Sequence, residues 1–189
     1  MKTSPPTIES KNGEKKAVLE AARLMLIAAR TAPKTAGIDD ILTLIVYGED
    51  KDSIADKMEE MGEERKIENF KRDAKNVKDS EAVVLIGVRG SKNAGMNCGA
   101  CGFKDCAKFE KAQKKLGKDF VGPTCVFKAL DLGVALGSAA KTASLLNVDN
   151  RIMYRIGTAA SKLKMLPEAT VIIGIPISAK GKSIYFDRK

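Results

Sequence analysis

The chain contains no histidine and no tryptophan. Without imidazole there are no His-based metal sites, no Ser–His or Cys–His nucleophile pairs, and no usual general base near neutral pH. Aromatics make up only 5% of residues, so the core must rest on Ala, Leu, Ile, Val and Met. Long uninterrupted apolar runs are also missing. Arg23 interrupts Ala17–Ala29, and the run Ala129–Leu146 contains Asp131 and Lys141, so both read as buried helices rather than membrane spans. The first thirteen residues are polar, unlike a signal peptide. The basic residues form no arginine-rich tract and are not interleaved with aromatics, which disfavours nucleic acid as a partner.

What is present fits one domain of ordinary size: 189 residues, 44% hydrophobic, with a net charge of +9. Spread along the chain, that charge reads as a solvated basic exterior biased toward anionic partners, with an acidic redox protein among them. The expectation is a cytoplasmic protein with neither membrane nor nucleic acid as partner. In that compartment clustered cysteines are more often metal ligands or redox groups than structural disulfides.

The apolar pattern predicts the elements. Residues 1–13, with Pro5 and Pro6, read as a flexible arm, and 14–189 as a single domain. A buried helix runs from Glu14 to about Thr31 and is broken at Ala32–Pro33. Arg23 and Arg30 share one face of it and read as surface or salt-bridged residues. A loop containing Gly37 leads to a strand at Ile41–Tyr47, and one or two charged helices span Asp52–Asp79. Ala82–Val88 lacks alternation and reads as a strand buried on both faces. Residues 90–125 differ in texture, being rich in Gly and Lys and carrying the cysteines. A long helix from Cys125 to Leu146, a helix over Asn150–Leu163, a strand at Thr170–Ile177 and a polar tail with Tyr185–Phe186 follow. The order points to a layered α/β (α+β) domain with a cysteine-bearing insert.

Cys98, Cys101, Cys106 and Cys125 are spaced C-x2-C-x4-C-x18-C. A cubane [4Fe–4S] cluster needs four thiolates, three of which a tight loop can supply while a distant fourth completes the cage. Gly99 and Gly102 suit a backbone that bends around an inorganic core. Cys106 precedes a short helix over Ala107–Leu116 and Cys125 heads the long one, and the positive end of a helix favours the thiolate. A four-cysteine zinc site is the main alternative; such sites usually show two C-x2-C-like pairs, and the second is missing here. Two disulfides, or four unrelated core cysteines in one segment, fit less well.

The segment Cys98-Gly-Ala-Cys-Gly-Phe-Lys-Asp-Cys106 with Cys125 resembles the C-G-x-C-G-x-x-x-C module of the corrinoid iron–sulfur protein. It also resembles the ferredoxin-like subunit of membrane ion-pumping electron-transfer complexes. That resemblance implies a single low-potential [4Fe–4S] cluster. The whole chain resembles a family of small anaerobe proteins containing a ferredoxin domain (DUF2148-like). The matching stretches are 29–39, the cysteine segment, Gly174-Ile-Pro-Ile-Ser and Tyr185-Phe-Asp-Arg188.

A helix followed by Ala-Pro-x-x-x-Gly and a strand is also similar to the early part of nitroreductase-type flavoproteins. Leu132-Gly-Val-Ala-Leu-Gly137, Leu163–Pro167 and Ile173-Gly-Ile-Pro176 follow in the same order. That resemblance implies a nitroreductase-like sheet flanked by helices, a homodimer, and FMN bound between subunits. It also marks departures: the N-terminal arginine-serine-arginine phosphate motif is absent, Lys34 replaces a serine, and Gly37 replaces the flavin-contacting asparagine. On this resemblance Arg30, Lys34, Gly37 and Arg188 become the candidate flavin contacts.

Three functional readings follow. The first is a homodimeric oxidoreductase relaying electrons between a [4Fe–4S] cluster and FMN. The second is a cluster-bearing electron carrier or sensor without flavin or turnover. The third is a zinc-stabilised interaction module. No residue stands out as a general acid or base. Lys104, Lys108 and Lys111 near the cysteine loop would stabilise a reduced cluster and dock an acidic ferredoxin or flavodoxin.

Overall fold

The computed structural model describes residues 7–186. The long apolar helix α1 spans Ser10–Thr31, so four residues of the expected arm are helical. A short 3-10 turn at Thr35–Gly37 leads into β1 (Ile41–Tyr47). The charged stretch resolves into α2 (Glu49–Arg65) and α3 (Glu68–Lys78), separated where Lys66 takes a left-handed conformation at φ 55°. β2 (Ala82–Val88) follows, then the cysteine segment with α4 (Cys106–Lys111) and a small hairpin of β3 (Lys115–Leu116) and β4 (Val121–Gly122). α5 (Val126–Leu145), β5 (Asp149–Asn150), α6 (Tyr154–Lys162) and β6 (Val171–Ser178) complete the order.

The main sheet runs β1-β2-β6-β5, with every neighbouring pair antiparallel. Side chains alternate across a strand, and β2 sends its two rows to two different cores. Ala82, Val84, Ile86 and Val88 join the layer formed by α1 and α5, while Val83 and Leu85 join the layer of α2, α3 and α6. All seven β2 residues are buried, which is why this strand shows no polar alternation. The architecture is therefore a helix–sheet–helix sandwich.

Two glycines set the spacing of the second layer. A Cβ on Gly157 would lie 1.7 Å from the carbonyl oxygen of Ile172, and one on Gly174 would lie 2.1 Å from Cγ2 of Ile156. α6 therefore rests directly on the β6 backbone.

The boundaries depart from the sequence reading where pairing partners are distant. Asp149–Asn150 pairs with β6 as an edge strand, so α6 starts at Tyr154 rather than Asn150. α4 ends at Lys111 instead of Leu116, because Ala112 turns extended and Lys114 donates to the carbonyl of Phe109 before the hairpin begins. The expected polar tail is anchored: Tyr185 is buried, its hydroxyl 2.9 Å from Oγ of Ser80.

Candidate metal centre

The cysteine segment leaves β2 at Arg89 and returns to the sandwich at Cys125. Its entry and exit are tied together, since the amide of Cys125 donates to the carbonyl of Gly90 at 2.8 Å. The amide of Gly90 donates in turn to Oγ1 of Thr170 at 2.9 Å, and the amide of Arg89 donates to the carbonyl of Asp40. A Cβ at Gly90 would lie 2.5 Å from Cγ2 of Thr124, so this joint admits only glycine without movement. On the far side, Asp119 accepts from Nη1 of Arg65 at 2.6 Å and from the Tyr154 hydroxyl, fastening the hairpin to α2 and α6. Burial alone would raise the Asp119 carboxyl, but the bonds from Tyr154 and Arg65 outweigh it and hold the group below its ordinary value. Burial and the bond to Asp119 push the Tyr154 phenol up to about 12.

Within the segment, Gly95, Asn97, Gly99 and Gly102 all have positive φ, so the chain curls repeatedly. Asn97 locks the curl to α4: its Oδ1 accepts from the amide of Cys106 at 2.9 Å, and its own amide points at Sγ of Cys106 at 3.4 Å. Asp105 caps α4 by accepting from the amide of Lys108 at 2.7 Å. Beneath lie Ala94, Phe109 and Cys125, with Phe103 packed edge-on to Phe109 at 5.6 Å between ring centres.

All four cysteines line one cavity, together with Met96, Phe109 and Phe127. None is in a disulfide; Cys98 is exposed, Cys101 and Cys106 are half-buried, and Cys125 is only 5% exposed at the head of α5. A single zinc ion would need its thiolates about 2.3 Å from one point. Among the described residues no group of three or more Cys, Asp and Glu side chains is positioned to hold one metal ion. A four-iron core bonds each thiolate to a different iron and spreads the sulfurs around a larger body. Four thiols lining one apolar cavity, with the amide of Asn97 directed at Sγ of Cys106, are the kind of donor set such a body needs.

The candidate flavin contacts lie elsewhere, at the end of α1. Lys34 is 6% exposed, and its ammonium donates to the carbonyls of Ala29, Arg30 and Ala32, closing the helix. Arg30 pairs with Asp39 and donates to the carbonyl of Ile41 at 2.8 Å. Burial opposes ionisation of Asp39, and the Arg30 bond overrides it to hold that carboxyl below its ordinary value. Gly37 ends the 3-10 turn at φ 67° with open space around it, and Arg188 lies outside the described residues. Both cations already have partners within the chain, and the adjoining Asp39 and Asp40 are acidic, so Arg30 and Lys34 of one chain offer no unpartnered charge to an FMN phosphate. Arg23 pairs with Glu20 at the surface, in agreement with its reading from the sequence.

One group of residues carried almost no sequence signal. Lys128, in the first turn of α5, is wholly buried, with its Nζ 3.0 Å from Asp40 and 3.9 Å from Asp131. Asp131 accepts from both the amide and the hydroxyl of Thr35. Asp131, a charge inside an apolar helix, was the one available hint, and it served mainly to exclude a membrane span.

A protein of Archaeoglobus fulgidus, described as uncharacterized, is 50% identical over 181 residues, covering 96% of this chain and 97% of its own. The model of the family described as "Uncharacterized protein containing a ferredoxin domain (DUF2148)" matches residues 121–188. The chain belongs to this family. Of the four cysteines, the DUF2148 match itself includes only Cys125; the other three lie before it.

Solved structures place this DUF2148 chain in the nitroreductase fold. A putative nitroreductase of Desulfovibrio desulfuricans in complex with FMN superposes with a TM-score of 0.54 at 12% identity, over 98% of this chain and 83% of its own. Nitroreductase CinD of Lactococcus lactis, in complex with nicotinic acid, gives 0.56 at 13%, over 95% and 83%. The nitroreductase of Saccharomyces cerevisiae gives 0.56 at 13%, over 88% and 84%. At such identities the likeness is one of fold. Among the described residues, no helix is long and apolar enough to cross a membrane.

Proposed function

We propose that this protein is an iron–sulfur redox protein, holding one [4Fe–4S] cluster on Cys98, Cys101, Cys106 and Cys125. The observation that carries this reading is the single cavity lined by all four free thiols. The bound cluster would supply one-electron redox chemistry. The chain's own residues hold the thiolates: Asn97 and Asp105 fix the loop carrying Cys106, and the Gly90 joint fixes Cys125 at the positive end of α5.

Assembly with a second copy belongs to this reading. α5 turns Leu130, Gly133, Val134 and Gly137 to solvent, and α1 exposes Leu24 and Ile27 beside it. Helix surfaces with small residues between aliphatic ones let a second helix approach closely.

A second reading adds FMN and makes the protein a homodimeric oxidoreductase relaying electrons between cluster and flavin. The FMN complex among the fold neighbours favours it. The engagement of Lys34 and Arg30 within the chain weighs against it.

The test is anaerobic purification followed by an absorption spectrum, iron, sulfide, zinc and flavin assays, and electron paramagnetic resonance after reduction. Iron and sulfide near four per chain support the cluster. Near-stoichiometric zinc without iron overturns it. Flavin released on denaturation in near-equal amount to chain would favour the relay, and its absence the carrier.

A further inference from the structure

The cysteine segment that carries the exposed thiol has an excess of positive charge, although Arg89 and Lys92 at its start pair with Glu168 and Asp40. Between residues 89 and 125 there are eight lysines and arginines against three acids, so this stretch holds a net +5 of the chain's +9. All three acids are engaged inside the segment or against the sandwich. Asp105 caps α4, Glu110 accepts from Asn93, and Asp119 is held by Arg65 and Tyr154. Among the described residues, Lys104, Lys108, Lys111, Lys115 and Lys118 make no ion pair, and all five are exposed. Elsewhere on the surface cations commonly find an acid, as with Lys57–Glu60, Lys75–Asp79 and Lys78–Glu59.

The segment also exposes an apolar side chain next to a thiol. Met96 is 52% exposed, beside the exposed Cys98 on the wall of the thiol cavity, while Cys125 on the same cavity is buried. An exposed apolar side chain in a segment of like charge is a combination by which electrostatics steers a partner and apolar contact then seats it.

We propose that the face around Cys98 and Met96 docks an acidic one-electron carrier protein. The electron it exchanges rests on the cluster reading above; the docking does not. The carrier loses one electron and the cysteine-held centre gains it, with no bond formed or broken. Protein fits this face better than nucleic acid. Phe109 is buried, and Phe103 and Phe120 pack edge-on against Phe109 and Tyr154, so each ring of the segment is already engaged within the chain rather than set out for a base to stack on.

The test is calorimetric titration of the full chain with an acidic bacterial-type ferredoxin, at about 0.01 M and about 0.15 M ionic strength, where the screening length falls from about 30 to about 8 Å. Lys104→Glu/Lys108→Glu/Lys111→Glu should weaken binding at least ~10-fold at low salt and abolish the salt dependence seen for the wild type. Lys16→Glu/Lys162→Glu/Lys164→Glu, with the same change in net charge outside the cysteine segment, should leave binding within about 2-fold of wild type. Equal weakening by both triple variants overturns the proposal, because net charge alone would then explain it. Tighter binding of a single-stranded RNA than of ferredoxin to the same face overturns it as well. Iron assayed on the same samples separates the two readings: a chain without iron that still binds loses the cluster and keeps the docking face.

Discussion

Nζ of Lys128 lies 3.0 Å from Oδ2 of Asp40, and neither side chain is more than 5% exposed. The contact is an ion pair rather than a well-directed hydrogen bond, since that oxygen finds no hydrogen-bond partner of good geometry. It joins α5 just after Cys125 to the chain entering β1, and Lys92 of the cysteine segment reaches the other oxygen of Asp40 at 3.4 Å. Asp131 extends the link to Thr35. The loop that the flavoprotein resemblance would turn toward a cofactor is thus bolted to the helix that presents the fourth thiol.

Removing one partner of a buried pair leaves the other charge uncompensated, at a typical cost of about 3–5 kcal/mol. Lys128→Met should therefore lower the unfolding free energy by roughly that amount, read by urea denaturation. Lys128→Met combined with Asp40→Asn should be less destabilised than the sum of the single variants, because the pair shares one interaction. Additive losses would show that the two groups are independent.

Much of the sandwich was legible in the sequence. β1 and β2 coincide with their apolar runs, and β6 is displaced by one residue, because unbroken Val/Ile/Leu stretches mark strands covered on both faces. The four thiols were legible as a set through their spacing, since glycine-flanked loops leave a local pattern. What the pattern could not carry is long-range. The edge strand at Asp149–Asn150 exists only through its pairing with β6, and Tyr185 reads as tail until Ser80 is brought beneath it. Lys34 is a phosphate candidate only through the flavoprotein resemblance, and it takes the fold to show its ammonium closing α1.

The Gly90 joint gives the most local test of how Cys125 is held. A methyl group there meets Thr124 at 2.5 Å and Oγ1 of Thr170 at 2.6 Å. Gly90→Ala should displace the exit of the segment, so that bound iron per chain falls while the helical signal in far-ultraviolet circular dichroism stays near that of the wild type. Gly157→Ala should instead lose the fold itself, since its clash is with the backbone of β6. Full iron retention in Gly90→Ala would mean that this joint does not position Cys125.

Cys125→Ser and Cys98→Ser should separate in a second measurement. Both should lose iron, as removal of any thiolate ligand does. Cys125 is packed with Ala94 and Phe109, whereas Cys98 is exposed, so only Cys125→Ser should also lower the stability of the metal-free chain, by about 1 kcal/mol or more for placing a hydroxyl in an apolar site. Equal stabilities of the two metal-free variants would place Cys125 outside the packed base.

The outward stripe on α5 predicts the oligomeric state. Val134 is 44% exposed and Leu130 is 57% exposed in the single chain. Val134→Lys should convert a dimer to monomer in sedimentation equilibrium without lowering its unfolding midpoint at low protein concentration. A wild-type chain that sediments as a monomer would remove the second copy from this face.

The fastening of the hairpin should depend on pH in a direction fixed by its two titrating groups. Asp119 is more acidic folded than unfolded, so its contribution is present above about pH 4 and is lost as pH falls through and below that value. Tyr154, raised to about 12, contributes fully below about pH 10, and that contribution is lost as pH climbs from there toward its folded value. Between those limits the amides of the hairpin should be protected from hydrogen exchange, and outside them exchange should accelerate. Tyr154→Phe should remove one late-titrating phenol from the ultraviolet titration and leave only the Arg65 contact on Asp119, raising hairpin exchange even at neutral pH. If exchange at neutral pH were the same in Tyr154→Phe and wild type, the segment would owe its position to the Gly90–Cys125 joint rather than to this fastening.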